Sequence, residues 1–218
     1  MTLPNRWALV EIAPIRGEGA ARGRGIMAVS FTHLAIPDVT LVVPDRFGDD
    51  RGYFAETYSR KVFAEGGIGD EFVQDNHSLS AEPGTVRGLH YQTAPFAQGK
   101  LVRVVRGAIF DGAVDLRVGS PSFGAHVAAT LSAANGHQLY VPAGFGHGFC
   151  TLEPDTEVVY KVTAYYSRAH DRGVRWNDPA LGIAWPVAPG KAVLSAKDSV
   201  LPHLAEVAPA ELFSFSPD

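Results

Sequence analysis

Two glycine-containing segments of this 218-residue chain carry the histidines best placed to do chemistry. The first spans residues 84–92 and contains His90; the second spans residues 136–147 and ends at His147. Histidine gains and loses a proton near neutral pH without a large perturbation of its pKa, so it suits a general base. Two imidazoles are too few for a tight transition-metal site, which usually has three or four protein ligands. On this pattern alone, packing in a core is the favoured interpretation of His90.

A tyrosine-bearing stretch at residues 157–166 supplies the second candidate. Strand alternation predicts that Val158, Tyr160, Val162 and Tyr166 share one face. A phenol on such a face could donate a proton to a bound ligand. A core aromatic residue with one satisfied hydroxyl is about equally typical of this pattern.

Short strands are the elements that must position these side chains. The 23 glycines and 15 prolines predict frequent turns and few long helices. From Leu41 onward, short apolar and β-branched stretches separated by turn residues are typical of a sandwich or barrel. Residues 59–65 are predicted to form a helix, with Ser59 as its N-cap and Gly66-Gly67 as its stop, and residues 202–206 another turn or two. The predicted strands are 53–58, 72–79, 85–92, 100–106, 108–116, 123–131, 138–142, 147–152 and 156–165.

Composition excludes several classes of partner. With a formal charge of −4, the chain has no general basic surface for binding nucleic acid. The composition does not exclude a local cluster of Arg and Lys. A single cysteine, Cys150, cannot form an internal disulfide, so the predicted location is the cytoplasm. The chain contains no apolar run of membrane-spanning length, and its start does not match an export signal.

The first 26 residues are predicted to form a flexible leader. Residues 16–25 combine repeated glycine and arginine with no apolar periodicity. Met27 is then either the biological start or the edge of the ordered domain. Residues 27–218 are predicted to form a single domain.

The two histidine segments resemble the two halves of the cupin barrel signature. In that signature a glycine and five residues precede His-x-His, and another glycine and five residues precede Pro-x-Gly-x-x-His. Gln92 stands where the second metal-binding histidine belongs, and no glutamate follows it at the expected distance. The resemblance implies an all-β cupin or jelly-roll barrel, with a few short peripheral helices, that has lost its metal and uses no cofactor.

A wider set of motifs resembles the dTDP-4-dehydrorhamnose 3,5-epimerase family. The motifs occur in order between about Ile36 and Asp198, at residues 47–56, 72–78, 87–92, 98–103, 142–149 and 194–198. The resemblance implies an epimerase that inverts C3 and C5 of a dTDP-4-keto-6-deoxy-hexose. The C4 ketone acidifies the hydrogens on C3 and C5, so the inversion needs only a base, an acid and a group that holds the enolate oxygen.

The family match implies a role for four catalytic residues. His90 corresponds to the family's base, and Asp198 to the carboxylate that fixes the tautomer of that histidine. Tyr160 corresponds to the acid, and Lys100 to the cation beside the keto oxygen. From the residues alone, Asp198 would be a surface or capping carboxylate and Lys100 a solvated lysine at a strand end.

The match also implies a set of substrate contacts. At several of these positions, taken singly, the residue type is equally typical of a structural hydrogen bond and of a ligand contact. Strict alternation would point Arg87 away from His90, so a bulge at Gly88 is required. In the family the segment of Arg51 reaches a neighbouring subunit, which implies a homodimer with a shared site. The implied substrate-binding residues are Arg51, Glu56, Gln74, Asn76, Arg87, His147, Tyr166 and Lys197.

Three alternatives stay open at this point. A C3-only epimerase would use the same base and acid, and a non-catalytic sugar-nucleotide-binding cupin would keep the residues for binding alone. A metal-dependent cupin is the third alternative, and Gln92 disfavours it.

Gly112 departs from the larger apolar residue that is usual in the family and puts the exact sugar in doubt. Its neighbour Asp111 is expected either near the site or in a structural role.

Overall fold

The computed structural model describes residues 29–216, so the predicted leader and the boundary at Met27 lie outside the described residues. The short α-helix α1 spans Arg60–Glu65, and 3-10 helices lie at Pro189–Lys191, Asp198–Val200, Leu204–Glu206 and Pro209–Glu211. The strands are β1 (Val29–His33), β2 (Thr40–Pro44), β3 (Phe47–Asp49), β4 (Gly52–Phe54), β5 (Gln74–Ser80), β6 (Val86–Gln92), β7 (Lys100–Arg106), β8 (Ala108–Asp115), β9 (Arg117–Val118), β10 (His126–Ser132), β11 (Gln138–Val141), β12 (Phe145–Thr151), β13 (Thr156–Val162), β14 (Asp171–Gly173) and β15 (Phe213–Ser214).

Two antiparallel sheets form the body of the protein. One has the strand order β1-β2-β11-β7-β13-β5, and the other has the order β10-β8-β12-β6-β14. The largest core cluster takes Val102, Val104 and Val158 from the first sheet and packs them with Ile109, Leu131 and other apolar residues of the second. The sheets therefore face each other across a shared apolar layer, and the prediction of an all-β fold is confirmed.

The functional strands follow the expected alternation inside that layer. Along β7 and β13, Val102, Val104 and Val158 point into the core. Lys100 and Tyr160 continue the same faces toward one end of the sandwich, where the apolar core gives way to a cavity. The alternation of these two strands thus brings a cation and a phenol to the open end.

Element boundaries differ from the predictions in several places. The strand predicted at 156–165 ends at Val162, and the strand predicted at 123–131 begins at His126. Only the end of a short strand, Gly52–Phe54, overlaps the strand predicted at 53–58. Strands β1, β2, β3, β9, β14 and β15 were not predicted at all. The helix is confirmed, and so is a turn of 3-10 helix at Leu204–Glu206. Ser59 occupies the N-cap position but makes no side-chain capping bond.

None of the helices in the described part of the chain combines the length and apolar character needed to cross a bilayer.

Candidate active site

A bulge in β6 places His90 at the cavity. The pairing of β6 with β12 shifts between His147, which faces His90, and Phe149, which faces Arg87, so β6 contains one extra residue. As a result both His90 and Arg87 line the same cavity. Gly88 supplies the bulge: its φ is +126°, and a Cβ there would lie 2.6 Å from the backbone of β12. The predicted bulge at Gly88 is confirmed.

His90 is paired with Asp198 across 108 positions of sequence. His90 Nε2 lies 2.5 Å from Asp198 Oδ1, and Ser195 Oγ donates to Asp198 Oδ2 at 2.8 Å. The carboxylate is only 3% exposed and sits in the 3-10 helix that begins at Asp198. Because an ionised carboxylate only accepts hydrogen bonds, Nε2 carries the proton and the lone pair is on Nδ1. Nδ1 has no hydrogen-bond partner within residues 29–216.

Burial sets the charge state of this pair. Desolvation lowers the pKa of His90 below its ordinary value, more than the hydrogen bond and charge of Asp198 raise it. Desolvation alone would raise the pKa of Asp198, but the hydrogen bond and charge of His90, with help from Ser195 and Lys197, hold it below its ordinary value. At neutral pH the pair is therefore a neutral imidazole beside a carboxylate, which is the form that a general base requires.

Lys100 is a buried cation next to this base. Its side chain lies at the start of β7, the residue is 7% exposed, and Nζ donates to the backbone oxygen of His90 at 3.2 Å. Desolvation lowers its pKa to about 8, while the charges of Asp111 and Asp171 oppose that shift and Lys197 adds to it. Lys100 is thus charged at neutral pH, and its ammonium group is poorly screened by water.

Tyr160 reaches the cavity from the sheet that faces the strand of His90. It lies on β13 between Val102 of β7 and Asn76 of β5. Burial raises the pKa of the phenol, so the hydroxyl is protonated at neutral pH. Among residues 29–216 the hydroxyl has no hydrogen-bond partner, which distinguishes it from a core tyrosine with a satisfied hydroxyl.

The four residues meet in one cleft between the two sheets. Two adjoining hollows, with empty volumes of about 590 Å³ and 710 Å³, share His90, Lys100 and Tyr160 as common walls. The first hollow is completed by Gln74, Asn76, Tyr91, Gln92, Gln98, Tyr166, Asp171 and Lys197, and the second by Ser78, Arg87, His147, Phe149, Ser195 and Asp198.

A second histidine–carboxylate pair lies in the wall of the larger hollow. His147 Nε2 is 2.7 Å from Asp111 Oδ1, and Asp111 is completely buried. Within the described residues Asp111 Oδ2 has no hydrogen-bond partner. This carboxylate also raises the pKa of Lys100, so it supports the charge of that cation. Asp111 therefore lies beside the site and contacts one of its lining residues.

The smaller hollow has a polar mouth. Lys197 Nζ lies 2.6 Å from Asp171 Oδ2, and the Tyr166 hydroxyl donates to the same oxygen at 3.2 Å. Gln74 donates to Asn76 at 2.8 Å on the facing strand β5. Sequence reasoning did not single out Asp171. It lies on the three-residue strand β14, which no local pattern predicts, and only the pairing of β14 with β6 brings it here.

Comparison with known proteins identifies the family. The sequence model of the dTDP-4-dehydrorhamnose 3,5-epimerase family matches residues 33–206. The chain belongs to this family. A curated dTDP-4-dehydrorhamnose 3,5-epimerase from Sinorhizobium fredii is 58% identical over 177 residues, which cover 81% of this chain and 90% of that protein. A dTDP-4-dehydrorhamnose 3-epimerase from Streptomyces niveus is 38% identical over 180 residues, or 82% and 86% of the two chains.

Solved structures of 3,5-epimerases agree with this fold. The enzyme of Legionella pneumophila in complex with dTDP-4-keto-L-rhamnose superimposes with a TM-score of 0.83 at 38% identity, over 87% of this chain and 100% of the other. The enzyme of Bacillus anthracis with TDP and pyrophosphate bound gives a TM-score of 0.78 at 52% identity, over 81% and 99%. The predicted family, cupin fold and 3,5-epimerase type of isomerase are thereby confirmed.

Within this 3,5-epimerase family member, two predicted binding residues lie away from the cleft. Arg51 sits in the turn between β3 and β4, where it pairs with Asp49, and its side chain is 89% exposed. Glu56 follows the same hairpin and lines neither hollow of the cleft. A single copy of the chain therefore does not bring Arg51 or Glu56 to its own base and acid.

Tyr166 reaches the cleft by a route other than the predicted one. Because β13 ends at Val162, Tyr166 is not on the strand face shared by Val158 and Tyr160, and that part of the prediction was wrong. It follows the strand in an irregular segment, is 59% exposed and lines the smaller hollow at its mouth. An exposed aromatic ring at a mouth is a natural stacking surface for a flat ligand group.

Gln92 and Gly112 are the two departures noted in the sequence. The Gln92 amide donates to the backbone oxygens of Phe96 and Tyr165 and accepts from the backbone of Ser167, so all three bonds go to the protein. Residues 29–216 contain no cluster of three His, Cys, Asp or Glu side chains spaced to hold a metal ion. A Cβ at Gly112 would meet no atom closer than 3.7 Å, with Phe110 and Trp185 among its nearest neighbours, and Gly112 lines neither hollow. This glycine therefore does not shape the cleft.

Proposed function

We propose that this protein inverts C3 and C5 of a dTDP-4-keto-6-deoxy-hexose on the path to dTDP-L-rhamnose or a related deoxysugar. The reaction removes a proton next to the C4 ketone and returns one to the opposite face of the ring. The proposal is supported by the family relationship and by one observation above all. His90 and Tyr160 project into one cleft from opposite sheets, and the cation of Lys100 lines the same cleft.

His90 is the proposed base. Its free Nδ1 accepts the proton from C3 or C5, and the imidazolium that forms is stabilised by the carboxylate of Asp198 at 2.5 Å. The lowered pKa of His90 keeps the imidazole neutral before the reaction. Asp198 in turn is held by Ser195, so the orientation of the imidazole is fixed before substrate binds.

Lys100 is the proposed partner of the enolate. Removing the proton moves negative charge onto the C4 oxygen, and a buried ammonium group near that oxygen stabilises it without having to reorganise. Asp111 and Asp171 oppose the loss of the lysine proton, so the charge is present at neutral pH. No cofactor is required for this chemistry, because the ketone itself acidifies both hydrogens.

Tyr160 is the proposed acid. Its hydroxyl is protonated, free of protein partners and placed on the wall opposite to His90. It donates its proton to the carbanion carbon from the face that His90 does not reach. The phenolate and the imidazolium then return to their starting states by proton exchange with solvent, which predicts that solvent hydrogen enters the product at each inverted carbon.

The remaining contacts are divided between the two hollows of the cleft. The sugar occupies the larger hollow, beside Arg87 and His147, and the nucleotide leaves through the mouth formed by Tyr166, Lys197, Gln74 and Asn76. Guanidinium and ammonium groups suit the diphosphate between them. We further propose that Arg51 and Glu56 serve the site of a second copy in a cytoplasmic homodimer. The hairpin that carries Arg51 also exposes Tyr53 and Phe54, each 63% exposed, as a surface for that contact.

A C3-only epimerase is the second candidate, supported by the similarity to the Streptomyces niveus 3-epimerase. One experiment tests both. The protein is incubated with dTDP-4-keto-6-deoxyglucose in deuterated water, and NMR follows which carbons exchange and invert. Exchange and inversion at C3 and C5 support the proposal, and inversion at C3 alone supports the second candidate. Exchange at neither carbon, with His90→Ala indistinguishable from the unmodified protein, refutes catalysis and favours a binding module.

A further inference from the structure

The segment that carries Tyr166 is held in place by glutamine side chains. After β13 ends at Val162, residues 163–167 form no regular strand, although a backbone bond from Thr163 to Gly99 ties their start. Backbone groups that leave a sheet need other partners, and here amide side chains provide them. The position of Tyr166 at the mouth of the cleft therefore depends on those amides.

Three glutamines share this task. Gln98 donates to the backbone oxygen of Ala164 at 2.7 Å, and Gln74 accepts from the backbone of Tyr166 at 3.3 Å. Gln92 makes two bonds to the segment: its Nε2 donates to the oxygen of Tyr165 at 3.2 Å, and its Oε1 accepts from the nitrogen of Ser167 at 2.6 Å. The two bonds of Gln92 bracket Tyr166 from both sides in sequence.

Gln92 also anchors the segment to the rest of the barrel. It ends β6, two residues after His90, and is only 3% exposed. Its third bond, from Nε2 to the oxygen of Phe96 at 2.7 Å, fixes the neighbouring loop as well. Removal of this amide would therefore take three hydrogen bonds away from the segment and the neighbouring loop.

We propose that Gln92 is a positioning residue that sets Tyr166 at the mouth of the cleft and thereby controls affinity for the nucleotide part of the substrate. This inference rests on the function proposed above. Gln92 acts through Tyr166 and not on the reacting carbons, so its loss raises KM and leaves the proton-transfer steps at His90 and Tyr160 largely intact. A purely structural amide would change the melting temperature and leave KM unchanged.

The test compares Gln92→Leu with Asn135→Leu in the full-length protein. Asn135 is a matched control, because its amide also makes three backbone bonds, to Thr130, Ser132 and His137, in a turn that does not line the cleft. KM and kcat are measured with dTDP-4-keto-6-deoxyglucose, and Kd is measured with dTDP. We expect Gln92→Leu to raise KM and Kd about tenfold with kcat within threefold, and Asn135→Leu to change neither constant.

A double-mutant cycle with Tyr166→Ala decides whether the effect passes through the tyrosine. If it does, Gln92→Leu causes no further loss of dTDP affinity in the Tyr166→Ala background. Additive losses, an unchanged Kd in Gln92→Leu, or a fall in kcat alone would overturn the proposal. Gln92→Glu, which keeps the acceptor for Ser167 and loses the donor, replaces Gln92→Leu if that variant does not fold. Failure of the unmodified protein to turn over substrate would instead count against the proposed function.

Discussion

Replacing Asp198 with asparagine tests the base directly. The substitution keeps the shape of the side chain and removes its charge. If the new amide nitrogen faces His90, it donates to Nε2, the proton moves to Nδ1, and Nδ1 no longer has a lone pair to accept the substrate proton. If the amide oxygen faces His90, the tautomer survives, but the imidazolium formed during the reaction has no counter-charge.

Both orientations of the amide should slow proton removal. A fixed charge about 4 Å from the imidazolium is worth about 4 kcal/mol at an effective dielectric constant of about 20. That corresponds to about a 1,000-fold loss of rate, and loss of the correct tautomer costs about 10,000-fold in comparable triads. We therefore expect Asp198→Asn to slow deuterium exchange at C3 and C5 between about 1,000-fold and 10,000-fold.

The assay is single-turnover exchange in deuterated water, read by NMR, with circular dichroism to confirm folding. Ser195→Ala is the control, since it removes one hydrogen bond to Asp198 and leaves the charge in place. We expect a loss of about 10-fold to 100-fold for this variant, because a hydrogen bond to a charged group is worth about 1.5–3 kcal/mol. A folded Asp198→Asn protein that exchanges within tenfold of the unmodified protein would show that His90 is not the base.

Three further predictions follow from the same geometry. The rate should fall above about pH 8 as Lys100 loses its proton, which a pH–rate profile measures; a rate that is flat up to pH 10 would show that the charge of Lys100 is not used. Tyr160→Phe should keep proton removal while lowering inversion about 100-fold to 10,000-fold, so NMR should find label returned without inversion; unchanged inversion would exclude this acid. Gly88→Ala should lower the free energy of unfolding by about 3 kcal/mol, because the φ of Gly88 is +126° and a Cβ would lie 2.6 Å from β12. Gly112→Ala is the control: its Cβ would meet no atom closer than 3.7 Å, so the free energy of unfolding should change by less than about 1 kcal/mol. Equal melting temperatures of the two variants in thermal denaturation would contradict the bulge.

The local pattern was sufficient for the fold class and for several strands. Alternation placed Val158 and Tyr160 on one face of β13, and the frequent turn residues indicated short strands. The bulge at Gly88 could be predicted because two residues of known spacing had to reach the same cleft. Strands β14 and β15 could not, because two or three residues carry no periodicity and form a strand only when a partner is present.

Contacts between residues that are far apart in sequence could not be predicted from the local pattern. After β13 ends at Val162, the amides of Gln92 and Gln98, which lie far away in sequence, bind backbone oxygens of the following segment. Asp171 joins the mouth only through the register of β14 on β6. No local signal marks a carboxylate whose partner is brought to it by a distant strand.

The sequence by itself determined that this chain is an all-β member of an epimerase family, because motif spacing and strand periodicity are local properties that survive without coordinates. The tertiary structure alone decided the charge states on which the proposed chemistry depends. His90 meets Asp198 across 108 positions, and Lys100 is buried beside carboxylates from two other strands. Burial and charge proximity act through space, so only the folded chain could set them.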